Sequence, residues 1–116
     1  INLTEIVVKE KYNQYDDVKI ACLITDYFNN IFSKKQKKLK VVFYRDASEI
    51  FLKNSKNFKK TKKYLKFLKY KNIQYIDTFD ILLKNLSKKL YVKYTFGHPT
   101  AFANQEVAKL ISNDFK

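Results

Sequence analysis

Leu39-Lys40-Val41-Val42-Phe43-Tyr44 is a nearly unbroken apolar run with two adjacent valines and two aromatic rings. Such a run suits a β-strand buried on both faces, as in a parallel sheet, and not the alternating pattern of a sheet with one wet face. Arg45-Asp46-Ala47-Ser48 follows at its carboxyl end, the edge where α/β sheets usually place their sites. Further on, residues 58–71 have the spacing of a basic amphipathic helix, with Tyr64, Leu65 and Leu68 inward and lysines outward. Asn72 is a suitable left-handed terminator, and Ile73-Gln74-Tyr75-Ile76 is the next short strand. Strand, helix, strand in that order is a crossover unit, so the fold class is α/β with a mainly parallel sheet.

The flanks extend the alternation. Thr4-Glu5-Ile6-Val7-Val8-Lys9 reads as a strand and 10–14 as a loop. Asp16 and Asp17 are placed to cap a helix over 18–34, because Ile20, Ile24, Tyr27, Phe28 and Ile31 keep the spacing of one buried face. The run Lys34-Lys35-Gln36-Lys37-Lys38 closes that helix with positive charge at the negative end of its dipole. Asp77 is expected to cap a helix through Ile81, Leu82 and Leu86, and Leu90-Tyr91-Val92 to be a short extended piece. Thr100 opens a last helix with Phe102, Ala103, Val107, Leu110 and Ile111 along one side. No internal repeat, low-complexity linker or domain boundary interrupts the pattern, so residues 1–116 read as a single α/β domain.

Composition narrows the class. With 46% hydrophobic and 16% aromatic residues, the 116-residue chain is built for a packed core and not for disorder. No stretch approaches the roughly 18 apolar residues that span a bilayer, and Ile1-Asn2-Leu3-Thr4-Glu5 lacks the basic region of a signal peptide. An isoleucine start is expected of a processed or excised portion of a longer protein. Cys22 stands alone, which precludes an internal disulfide, and among Ile20, Ala21, Leu23 and Ile24 it reads as a small core residue. The net charge of +13 favours contact with a polyanion. Yet of 24 basic residues only Arg45 is arginine, the residue whose fork suits phosphate best. The lysines also accompany abundant Asn, Tyr, Phe and Ile, as AT-rich coding would produce. Solvated lysine faces explain most of the excess, and a non-catalytic, lysine-rich binding module for nucleic acid or another polyanion is the second functional reading.

Chemistry concentrates in Tyr94-Thr95-Phe96-Gly97-His98-Pro99-Thr100-Ala101-Phe102-Ala103, which holds the only glycine, histidine and proline of the chain. Gly97 and Pro99 fix a tight bend, and between them His98 stands just ahead of a helix. Histidine changes charge near neutral pH, which suits a general base or acid.

Gly97-His98-Pro99-Thr100, with Ala101, Ala103 and the pair Val107-Ala108 behind it, resembles the last block of the SGNH (GDSL-type) hydrolases and O-acyltransferases. There an Asp-x-x-His-Pro-(Asn/Thr) loop leads into the final helix. The resemblance implies that His98 is the base that activates a serine. Thr95 stands at the family's aspartate position, where a hydroxyl orients the imidazole but does not offset its charge as a carboxylate does. The family's Gly-Asp-Ser block is absent, and Ser33, Ser48, Ser55, Ser87 and Ser112 read as surface or capping residues outside any strand-to-helix elbow. The nucleophile is therefore expected upstream of Ile1 or on a second chain. Asn13, after the strand 6–8 and before the long helix, falls where the family places an asparagine donor to the oxyanion. The implied fold is a three-layer, flavodoxin-like sandwich incomplete at its N-terminal side. The implied substrate is an ester or acylated sugar, in a cell-envelope or secreted setting. No cofactor or metal is expected, with one histidine, no cysteine partners and no phosphate-cradling glycine loop.

Overall fold

The computed structural model describes residues 16–52, 54–93 and 97–115. In chain order these form α1 (Asp17–Lys34), β1 (Lys40–Phe43), α2 (Ala47–Phe51), α3 (Lys56–Tyr70), β2 (Gln74–Asp77), α4 (Phe79–Lys84) and α5 (Ala101–Asp114). β1 and β2 pair as parallel neighbours in a two-stranded sheet, connected through α2 and α3. The described chain is thus a small mixed α/β fold. The strand expected over 4–9 lies outside the described residues. No helix among those described is long and apolar enough to cross a membrane.

Two compact units can be distinguished. The first contains residues 16–39 and 60–74 of the described chain. Here α1 starts as its sequence requires: Asp16 is the N-cap, and its Oδ1 accepts the Lys19 N–H at 2.7 Å. α1 meets α3 through a buried polar pair. Thr25 Oγ1 donates to the Ala21 carbonyl at 2.7 Å, which leaves Tyr64 Oη to donate to Thr25 Oγ1 at 2.6 Å. Around it Thr61, Leu68 and Ile73 are buried, and ion pairs Lys60–Asp17 (2.7 Å) and Lys71–Asp26 (3.5 Å) link the helices outside. Cys22 is half-buried, and burial, then the charge of Asp16, pushes its thiol above the ordinary value.

α1 and α3 end in the same way. Lys37 N–H reaches back to the Phe32 carbonyl and Gln36 N–H to Ser33; Ile73 N–H reaches Leu68 and Asn72 N–H reaches Lys69. These are two Schellman motifs, each with a non-glycine residue in the left-handed region, Gln36 and Asn72, both at φ 56°. Each motif redirects its chain into a strand. α3 itself carries seven lysines and no acid. Lys59, Lys62, Lys63, Lys66 and Lys69 are all exposed and fall three or four residues apart. Each such like-charged neighbour pair costs about 0.2–0.5 kcal/mol. Burial of Tyr64 and Leu68 on the opposite side holds the helix against that repulsion.

The second unit contains residues 40–52, 54–59, 75–93 and 97–115 of the described chain. Its core is Ile50, Leu82, Leu90, Ala103 and Val107, flanked by Tyr44, Phe79, Ile81, Tyr91, Phe102 and Ile111. Full burial of its isoleucine, leucine and valine side chains stabilises by about 1.5–3 kcal/mol each. Lys40 at the start of β1 donates to Asp114 at the end of α5 and stands 5.6 Å from the Phe115 ring centroid. β1 departs from the expectation of burial on both faces: Val42 is 40% exposed. α4 departs too. Its N-cap is Thr78 and not Asp77, and it stops at Lys84, before Leu86.

Candidate functional site

The carboxyl ends of β1 and β2 are knotted together by side chains of the second unit. Thr78, fully buried, donates from Oγ1 to the Phe43 carbonyl at 3.0 Å and accepts the Arg45 N–H at 2.9 Å. Its own N–H also reaches Phe43. A threonine in this place closes the backbone groups that the strands leave open as they diverge.

Arg45 is the centre of the edge. Only 6% exposed, its guanidinium grips Asp77 with two parallel bonds, Nε to Oδ1 at 2.8 Å and Nη2 to Oδ2 at 2.7 Å. Nη1 donates to Glu49 Oε1 at 3.2 Å. The rings of Phe79, Phe58 and Phe43 surround it with centroids at 4.9, 5.5 and 5.7 Å, and Phe58 meets Phe79 edge to face. Burial alone would lower the guanidinium's pKa, but the bonds and charges of Asp77 and Glu49 outweigh it and hold the group above its usual value. Glu49 is half of a capping box: its Oε2 accepts Asp46 N–H at 3.0 Å, while Asp46 Oδ1 accepts Glu49 N–H at 3.1 Å. Ser48 donates to the same Asp46 oxygen at 2.6 Å and accepts from Asn57 at 3.0 Å. Among the described residues no buried side-chain nitrogen or oxygen is left without a partner. The cluster is a clasp whose buried polar atoms are all paired within the protein.

This clasp carries the histidine loop. Tyr91 Oη donates to the Arg45 carbonyl at 2.9 Å, and Tyr91 forms an antiparallel bridge with Pro99. Val92 N–H binds the His98 carbonyl at 2.7 Å and Thr100 N–H binds Leu90 at 2.8 Å. Burial first, then the nearby Tyr44, Asp46 and Glu49, drives the Tyr91 phenol well above its ordinary pKa, so it stays a donor. Gly97 has φ +79°, and a Cβ there would stand 3.6 Å from the Ala47 Cβ at the start of α2. Thr100 caps α5, accepting Ala103 N–H at 3.2 Å and donating to Lys89 at 2.6 Å.

The sequence-derived candidates separate here. His98 is exposed, on a loop braced against the residues that follow β1. Thr95 and Asn13 lie outside the described residues. Ser48, expected away from any strand-to-helix elbow, is the second residue of α2, just past the turn from β1, and its hydroxyl is engaged by Asp46 and Asn57. The sequence places Arg45 at this sheet edge and Asp77 as a helix cap, but neither their pairing nor the part of Glu49 in it is written in a local pattern. The Asp46-x-x-Glu49 spacing was the signal available for two of the cluster's members. In the first unit, a cleft of about 300 Å³ is lined by Asn29, Ser33, Lys37, Lys38, Lys71 and Asn72 among others, with no imidazole, thiol or carboxylate. Among the described residues no three His, Cys, Asp or Glu side chains cluster as a metal site requires.

Compared with protein-family models, curated proteins and solved structures, the chain matches none.

Proposed function

We propose that this chain is the later part of an SGNH-type serine ester hydrolase or O-acyltransferase, with His98 as general base. The observation that supports it is the placement of the only imidazole. It stands exposed on a loop tied to Tyr91 and Val92, next to the turn that leaves β1. In open α/β sheets the carboxyl edge is where substrates bind. The three-layer sandwich of that class belongs to the same proposal, with the parallel β1–β2 pair as part of its sheet.

In this reading the serine comes from a preceding segment or a second chain. Its Oγ attacks the ester carbonyl while His98 takes the proton. The Asn13 carboxamide donates to the oxyanion, a contribution of about 3 kcal/mol at comparable sites. His98 then protonates the leaving alcohol, and water or a sugar hydroxyl resolves the acyl-enzyme. Thr95 orients the imidazole. The Arg45 clasp does no chemistry; it positions the loop through its carbonyl and Tyr91.

The test is made on the full-length protein. A fluorophosphonate probe labels its serine, and His98→Ala lowers ester hydrolysis by about 10²–10⁴-fold, as loss of a general base does. Undiminished activity in His98→Ala eliminates the assignment.

A further inference from the structure

Between Glu49 and Asp77 the chain has nine lysines and not one carboxylate. Lysine-rich coding adds lysines everywhere; it does not clear acids from one segment. The structure shows where this sorting leads. At 100° per residue, Lys59, Lys62, Lys63, Lys66 and Lys69 fall within about 120° of the α3 surface. All five are exposed, and none has an ion-pair partner among the described residues. Lys60 and Lys71, on the flank facing α1, are the ones neutralised, by Asp17 and Asp26. Charge is therefore paired inside the helix pair and left unpaired on the outward ridge, in spite of the repulsion this builds into the helix.

We infer that this ridge is a docking surface for the phosphate backbone of a single-stranded nucleic acid. From Lys59 to Lys69 is ten residues, about 15 Å of helix, and the five lysines along it, on long flexible stems, neutralise about four phosphates of one strand. At its end Tyr70 is 85% exposed, an aromatic ring open for a base to stack on. The ridge has no arginine, so it holds backbone without the bidentate reading of bases, and binding is tolerant of sequence. An anionic lipid surface is the weaker match. Membrane-surface helices insert an apolar face, and here Tyr64 and Leu68, the apolar side of α3, are buried in the protein.

The experiment is fluorescence anisotropy of the full chain with a labelled mixed-sequence single-stranded oligonucleotide across a salt series. The logarithm of the binding constant should fall linearly with the logarithm of salt, with slope about −3. Lys62→Gln/Lys66→Gln should weaken binding about 25-fold at 0.1 M salt, two contacts at about fivefold each, and make the slope shallower by about 1.4. Tyr70→Ala should weaken it about tenfold. Lys88→Gln/Lys89→Gln, which removes the same charge from an exposed segment elsewhere, should change it less than about twofold. Equal losses from the two double variants would mean diffuse attraction and overturn the proposal. So would binding to phosphatidylserine vesicles without binding to the oligonucleotide. Circular dichroism checks that each variant keeps its helices; Lys62 and Lys66 are solvent-facing, so their replacement leaves the fold intact.

Discussion

Asp77→Asn removes one charge from the buried clasp and leaves the Arg45 guanidinium with Glu49 alone, at 3.2 Å. Breaking a buried ion pair from one side costs about 3–5 kcal/mol, because the surviving charge loses its partner without regaining water. Two features of the site set the value at the lower end. Asp77 is 25% exposed, so water replaces part of what is lost, and Glu49, only 4% exposed, still neutralises the guanidinium. The expected loss is about 3 kcal/mol, a large share of the 5–15 kcal/mol typical of a domain. Urea unfolding followed by circular dichroism measures it, with an unchanged slope showing that only stability moved. A double-mutant cycle with Arg45→Met should return a coupling of about 2–3 kcal/mol, whereas Lys60–Asp17, whose aspartate is 67% exposed, should return about 0.5 kcal/mol or less. An Asp77→Asn cost below about 1 kcal/mol would refute the view that the strand ends are held by this pair.

Alkaline titration gives a second check. Burial, the largest cause at each, raises the phenols of Tyr91, Tyr64 and Tyr44 above their ordinary value. The folded state thus holds these protons more tightly than the unfolded chain does. Their stabilisation is complete below about pH 10 and is lost as pH rises from there through the folded values. In an ultraviolet titration these three phenols should ionise above the ordinary tyrosine value, and early ionisation of Tyr91 would contradict its burial. Gly97→Ala should destabilise by about 1 kcal/mol, from a left-handed φ and not from a clash, since the new methyl meets Ala47 at an ordinary 3.6 Å; a neutral result would show that the bend is unstrained. The Cys22 thiol should react with a disulfide reagent at pH 8 several-fold more slowly than free cysteine, and parity would mean an open thiol.

The long elements were legible because each had both a period and an end signal. α1 had Asp16 and an apolar face, α3 had Tyr64 and Leu68 with Asn72 behind it, and α5 had Thr100. α2 escaped because five residues are too few to show a helical period, although its capping box was spelled out by Asp46 and Glu49. Arg45 escaped for a different reason. Its fate depends on Asp77, 32 residues away, and only the pairing of β1 with β2 brings the two together. Asp77 keeps part of its expected role: Oδ1, held by Arg45 Nε, also accepts the Phe79 N–H at 3.0 Å, while the helix begins after Thr78, which makes no side-chain cap bond. His98 was identifiable by its uniqueness, but its exposure follows from the Tyr91–Pro99 bridge, which no local spacing encodes.

Gln36 and Asn72 make equivalent backward turns, yet they are unequal in evolutionary latitude. Asparagine inhabits positive φ with little penalty, so Asn72 is already near its optimum. Gln36 has no such dispensation, and a glycine there would release about 0.5–1 kcal/mol of backbone strain. The exit of α1 is thus a reserve of unrealised stability, open to a single substitution, while the exit of α3 has almost none left to give.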